Sequence, residues 1–439
     1  MKPPAFIKRL FAPAAQTGSK PDRHTRRTVA LCHALLSERG EASGAALARE
    51  ALAAYRMLAG PALAAFFDVL AEEFSPDPEA VGEAADAYRQ EASQANLIRL
   101  QQVAEPPRQE LFRRLNLANG GTATLIEMRR RLLHDLKTQP HWAGIEADLV
   151  HLLGSWFNRG FLSLQRIDWR TPALVLEKLM QYEAVHEIQG WRDLRRRLEA
   201  DRRCFAFFHP ALPDEPIIFI EVALTKAMSE QVQPLLDPDS PVVDPASANA
   251  AMFYSITNCQ EGLRGISFGN FLIKQVAEDL GREFPRLKTF ATLSPIPGFR
   301  KWLEETAAAH AELGEIGGAL AEADWTERAR PGTRMQSELM RLCAYYLQHA
   351  KLDQEPADAV ARFHLGNGAR IERINWLADT SKAGMARSAG LMVNYAYRLK
   401  DVERNHETYA NKHVAVASPG LMLLARESLL PRSAAKRQG

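Results

Sequence analysis

The chain has 439 residues, of which 46% are hydrophobic and 25% charged, with 55 basic against 53 acidic side chains. That length exceeds what a single hydrophobic core fills, so two compact units are expected. A net charge of +2 lies far below the basic excess with which proteins displace counterions from a phosphate backbone, which excludes nucleic acid as the main partner.

Residues 1–30 are basic, with Asp22 their only acid, and read as a disordered arm rather than an organelle address. From about Thr25 to Gly160, apolar residues recur at helical spacing, as in Leu47, Ala51, Ala54 and Leu58 and in Leu63, Phe66, Phe67 and Leu70. Gly60-Pro61, Ser75-Pro76-Asp77-Pro78 and Gly120-Gly121 punctuate this stretch as helix stops and starts. An all-α helical-bundle domain over residues 1–166 follows, with Tyr55, Met57 and Trp156 assigned to its core.

Beyond Ile167 short β-rich runs alternate with helical ones, so residues 167–439 are expected to form a mixed α/β domain, and the fold class is α+β. Glu215–Thr225 and Ala251–Cys259 read as buried strands. The second leads through Gly262, Gly265 and Gly269 into an amphipathic stretch carrying Leu272, Ile273, Val276, Ala277 and Leu280. A strand, a glycine-rich turn and a helix aim unpaired backbone N–H groups at one spot, where a pyrophosphate fits and Arg264 adds charge. The same glycines also suit a plain tight turn. Lys288–Leu293 is the next strand, broken by Ser294-Pro295-Ile296-Pro297-Gly298. Ala361–Leu365 and Arg370–Ala378 flank Gly366-Asn367-Gly368, the signature of a β-hairpin with His364 beside its turn.

No apolar run approaches the roughly 18 residues that would cross a bilayer. The last residues lack a Ser-Lys-Leu address, and cytoplasm is the expected location. Cys32, Cys204, Cys259 and Cys343 form neither a C-x-x-C pair nor a cluster at zinc spacing, so reduced thiols and no metal are expected.

The turn resembles the CoA-binding turn of the acetyltransferase (GNAT-type) fold, Arg/Gln-x-x-Gly-x-Gly/Ala, with Arg264, Ser267 and Gly269 at the marked positions and serine replacing the first glycine. Phe253–Pro285, Thr292–Leu303 with its Leu-Ser-Pro-Ile-Pro-Gly-Phe block, Ala361–Asp379 and Gly390–Leu399, joined upstream by Arg202–Thr225, resemble the malonyl-CoA decarboxylase family. The helical region is similar to that family's oligomerising domain. The resemblance implies a GNAT-type catalytic domain that converts malonyl-CoA to acetyl-CoA and carbon dioxide, as in fatty acid metabolism. It implies catalytic Ser294 and His364, supporting Ser255 and Tyr397, and a CoA turn of Arg264, Gly265, Ile266, Ser267, Phe268, Gly269 and Asn270. Where some members carry a glutamate in the turn, this chain has Ser267. CoA is part of the substrate, no metal or biotin is called for, and a homo-oligomer, dimer or tetramer, is expected through the helical domain. Asn375 is a structural candidate.

Decarboxylation needs donors at the thioester oxygen, each worth on the order of 3 kcal/mol in a dry site, and an acid for the α-carbon. His364 is the expected proton donor, because an ordinary imidazole reaches both charge states near neutrality. Ser294 holds the leaving carboxylate or relays a proton. A CoA-dependent N-acyltransferase, an acyl-CoA thioesterase built on Ser294 and His364, and a non-catalytic acyl-CoA sensor are the rival readings.

Overall fold

The structure is a computed structural model that describes residues 22–38, 40–266, 268, 272–310, 313–322, 325–328 and 331–430. Two compact units emerge. One comprises the described residues up to Phe157 together with Gln260–Ile266; the other comprises Asn158–Cys259 and the described residues beyond Ile266. The boundary expected at Ile167 falls inside the second unit, at the end of its first strand.

The first unit is helical: Arg23–Ser37, Glu41–Arg56, Gly60–Glu72, Pro78–Gln90, Gln94–Ala104, Pro107–Asn116, Gly121–Asp135 and Ala143–Trp156. Its stops are those written in the sequence. Asp77 accepts a hydrogen bond from the Glu79 amide at 3.1 Å, with Pro78 in the first turn, and Gly120 takes a left-handed φ of 73° between two helices. Tyr55, Phe66, Phe67, Leu70, Phe112, Leu125 and Trp142 are buried together in the core. Met57, expected there, is 74% exposed. It is the C-cap of Glu41–Arg56, where the helical stripe has already ended. One ion pair is sealed inside: Arg108 Nε donates to Asp148, whose second oxygen accepts from Gln109 at 2.6 Å, while Arg108 Nη1 donates to Ser75 at 2.7 Å.

The second unit is built on a mixed sheet, which the sequence pattern anticipates. Its strands are β1 (Ser163–Ile167), β2 (Arg202–Phe208), β3 (Pro216–Thr225), β4 (Ala250–Asn258), β5 (Thr289–Thr292) and β6 (Ser294–Pro295), then β9 (Arg370–Asn375) and β10 (Met392–Ala396). A separate small hairpin holds β7 (Lys351–Leu352) and β8 (Glu355–Pro356). The order runs β1-β2-β3-β4-β5, then β10, whose other neighbours are β6 and β9. All pairs are antiparallel except β4 with β5. β2 is buried throughout and β3 nearly so, as expected of continuous apolar runs covered on both faces.

Two irregularities shape the sheet. The parallel ladder of β4 and β5 runs from Ala250/Thr289 to Phe253/Thr292 and ends there, while β4 continues to Asn258 in register with β3. A gap therefore opens between β4 and β5. Next to it, Glu221 pairs with Ser255 but Val222 with Phe253, so β4 carries one extra residue, Tyr254, as a bulge. Alternation inverts across the bulge. The Phe253 ring lies 6.4 Å from the Tyr397 ring on one face, and Ser255 turns to the other.

The glycine-flanked segment around His364 is not a hairpin. Ala359–Gly366 is an α-helix, N-capped by Asp358, which accepts from the Ala361 amide at 2.9 Å. Gly368, at φ +79°, closes its C-terminus: the Gly368 amide donates to Leu365 O and the Ala369 amide to His364 O. Positive-φ glycine serves a helix end as readily as a hairpin, and the short sequence does not distinguish the two. A Cβ on Gly368 would lie 2.2 Å from Val402 O, so the position admits no side chain.

The four cysteines are buried and unpaired. Burial raises each thiol above its ordinary pKa, with Cys32 pushed up to about 12. No helix among the described residues is long and apolar enough to cross a membrane.

Candidate active site

The break between β5 and β6 places Ser294. Thr292 ends β5, Leu293 interrupts, and Ser294 opens β6 opposite Val393. Pro295 is tolerated there because β6 has β10 as its one ladder neighbour, so a missing N–H breaks no second ladder. Thr292 and Ser294, two residues apart, point to the same face.

On that face His364 descends from the last turn of its helix. Its Nε2 lies 3.0 Å from Ser294 Oγ, and its Nδ1 lies 2.8 Å from the Tyr397 hydroxyl. Ser294 Oγ donates to Thr292 Oγ1 at 2.8 Å, and Thr292 Oγ1 also accepts from the Tyr395 amide at 3.1 Å. With the serine proton on Thr292, His364 carries its hydrogen on Nε2 and accepts at Nδ1 from Tyr397. The relay thus runs one way: Tyr397, His364, Ser294, Thr292. The Tyr395 ring stacks on the imidazole at 4.4 Å and fixes its plane. Behind Thr292, Asn394 Nδ2 donates to its carbonyl at 2.7 Å, and Asn375 Nδ2 donates to Asn394 Oδ1 at 2.8 Å.

All four relay residues are buried. Burial lowers the His364 pKa to about 3, with no carboxylate among the described residues near enough to offset desolvation. The resting imidazole is neutral at physiological pH. The ordinary imidazole pKa expected from the sequence does not hold here. Burial likewise raises the Tyr397 phenol well above its usual value, so it remains a donor.

Ser255 does not join this constellation. Turned away by the bulge, its Oγ lies 2.8 and 2.7 Å from the two oxygens of Glu183, beside Thr257. Its one proton is directed at a carboxylate.

The turn is described in part. Its leading segment belongs to the helical unit, where Arg129, buried and paired with Glu146 at 2.8 Å, donates to Gly262 O at 2.7 Å and Arg264 O at 2.8 Å. Because a trans peptide points its C=O and N–H in opposite directions, the clamp on Arg264 O turns the Gly265 amide away from Arg129. Gly262 packs so closely that a Cβ would lie 2.0 Å from Ile126 O, and Gly265 has φ +80°. The Arg264 side chain is exposed, and Ile266 and Phe268 are buried. Ser267, Gly269 and Asn270 lie outside the described residues.

The sequence reading missed Thr292, Tyr395, Arg129 and Glu183. Thr292 and Tyr395 carry a signal in retrospect, each standing two residues before a chosen residue at a strand end. Arg129 and Glu183 had none, since each acts on a segment more than 70 residues away.

The described Malonyl-CoA decarboxylase C-terminal domain matches residues 160–435, and the Malonyl-CoA decarboxylase N-terminal domain matches residues 74–157. The chain is 36% identical to the mitochondrial malonyl-CoA decarboxylase of Anser anser anser over 412 residues, 85% of this chain and 82% of that one. It is 35% identical to that of Rattus norvegicus over 396 residues, 81% of this chain and 80% of that one. Among solved structures, malonyl-CoA decarboxylase from Rhodopseudomonas palustris superposes with a TM-score of 0.86 at 48% identity, covering 90% of this chain and 98% of that one. That from Agrobacterium vitis gives 0.84 at 48% identity, covering 91% and 99%.

Proposed function

The chain belongs to the malonyl-CoA decarboxylase family, and on that premise we propose that it releases carbon dioxide from malonyl-CoA at the Ser294–His364–Tyr397 relay, leaving acetyl-CoA. The observation that carries the assignment is the pair of short contacts on one imidazole, to Ser294 at 3.0 Å and to Tyr397 at 2.8 Å.

Breaking the bond to the carboxylate leaves its electron pair on the α-carbon and thioester oxygen as an enolate. One proton from solvent must then reach that carbon. A neutral His364 with Nε2–H facing Ser294 acts as a hydrogen-bond donor to developing negative charge, directly or through the serine hydroxyl. The single free carboxylate of a malonyl thioester brought beside it raises its proton affinity and favours the charged imidazole. Ser294 passes the proton or holds the leaving carboxylate. The gap between β4 and β5 supports entry of an extended acyl arm, since a free strand edge bonds amides in ladder fashion. The clamped turn, with the Gly265 amide turned outward and Arg264 exposed, supports a pyrophosphate site.

No metal or biotin has a role in this scheme. Exposed Met57 and Leu117, at 74% and 84%, support self-association through the helical unit, which size-exclusion chromatography with light scattering would test. Unpaired thiols support a reducing compartment such as the cytoplasm.

The deciding experiment is incubation with malonyl-CoA alone. Carbon dioxide and acetyl-CoA in equal amounts are expected. Free CoA with malonate would instead assign a thioesterase, and turnover only on addition of an amine would assign an acyltransferase.

A further inference from the structure

Beneath the sheet, on the face away from His364, lies a buried carboxylate with no part in the relay. Glu183 follows the helix Ala173–Tyr182 and caps it, its amide donating to Leu179 O at 3.1 Å. The residue is 5% exposed. Oε1 accepts from the amides of Val185 and His186 at 2.8 and 2.9 Å, which curls the following loop around it. Ser255 lies within 2.8 Å of both oxygens, and Thr257 donates to Oε2 at 3.1 Å. Every one of these partners is a donor, so the site is complete for a charged acceptor and for nothing else.

The two hydroxyls belong to the part of β4 that lies past its last pair with β5. On the β5 side that stretch has no ladder to keep it straight, and the Tyr254 bulge bends the strand just before it. A buried carboxylate that grips residues 255 and 257 from below supplies the missing constraint. We propose that Glu183 is a positioning residue for acyl-CoA binding: through Ser255 and Thr257 it holds the free edge of β4 in the shape that receives the acyl arm. Ser255 is then an anchor of the strand, and its proton is not available to the thioester.

This inference rests on the decarboxylase reading with the arm in the β4–β5 gap, and its test is a binding measurement that needs no turnover. Glu183→Gln keeps the volume but replaces one acceptor with a donor facing hydroxyls and amides. Titration calorimetry with acetyl-CoA should show Kd raised about ten-fold or more, which corresponds to about 1.4 kcal/mol per factor of ten. KM for malonyl-CoA should rise with it, while kcat stays within about three-fold. Adding Ser255→Ala to Glu183→Gln should cost little further, because both act through one contact. Glu183→Asp, which keeps the charge, should restore part of the affinity.

An unchanged Kd in a folded Glu183→Gln protein overturns the proposal, as does a fall in kcat at constant Kd, or independent effects in the double variant. If Glu183→Gln fails to fold, Thr257→Val carries the test, with Kd raised about three-fold expected and an unchanged Kd overturning the role. A wild type that binds acetyl-CoA yet releases no carbon dioxide would sink the reaction assignment and leave the Glu183 measurement standing.

Discussion

Ser294 Oγ faces His364 Nε2 at 3.0 Å, yet the serine proton points to Thr292. A nucleophilic serine would give its proton to the histidine; here the histidine gives its own to the serine. The pair therefore lacks the serine-to-histidine direction that a nucleophilic serine and an acyl-enzyme need.

Ser294→Ala and His364→Gln should each lower kcat by roughly 10² to 10⁴, the range of a positioned proton donor. Calorimetric affinity for acetyl-CoA should stay within a few-fold of wild type. Equal losses in affinity and turnover would mean that these residues shape the fold of the site and take no part in the reaction.

Tyr397→Phe keeps the ring beside Phe253 but leaves His364 Nδ1 without its donor. The imidazole can then move its hydrogen to Nδ1, which removes the donor facing Ser294. A drop in kcat of at least about ten-fold is expected from the lost tautomer preference, with a stability loss of about 1–3 kcal/mol from the orphaned nitrogen.

Stability should depend on pH through His364. Its pKa is near 3 when folded and about 6.5 when unfolded. Between those values the unfolded chain binds a proton that the folded chain refuses, so stability rises with pH across this window and is lost as pH falls below about 6.5. The slope is about 1.4 kcal/mol per pH unit. Urea titrations from pH 7 down to 5 should show that loss in wild type and a shallower one in His364→Gln.

Within the helical unit, Asp148→Ala strands the Arg108 guanidinium among buried neighbours. Removing one partner of a buried pair costs about 3–5 kcal/mol. Replacing both, as in Arg108→Met with Asp148→Leu, should recover much of it. Denaturant midpoints of the three variants decide the matter.

The fold was legible wherever a period or a punctuation residue spoke for itself. Pro78 behind Asp77, the apolar run of β3 and the amphipathic face from Leu272 to Leu280 all fixed their elements locally. His364 was found by family resemblance, but its helix was misread, because Gly366-Asn367-Gly368 offers the same left-handed conformation to a hairpin and to a helix end. The face on which Ser255 stands was illegible for a related reason. Its direction depends on the Tyr254 bulge, and a bulge is set by how β3 and β4 align, which neither strand encodes alone. The ordinary pKa assumed for His364 failed because burial is a property of the assembled sheet.

The four sealed thiols make the protein a timer of its own opening. An alkylating reagent attacks only thiolate, and in the closed molecule each cysteine is both covered and held protonated. Cys32 belongs to the helical unit and Cys204, Cys259 and Cys343 to the other, so mass spectrometry of an iodoacetamide time course would clock the two units separately. Synchronous labelling would mean that they breathe as one, and an early Cys32 that the helices loosen first.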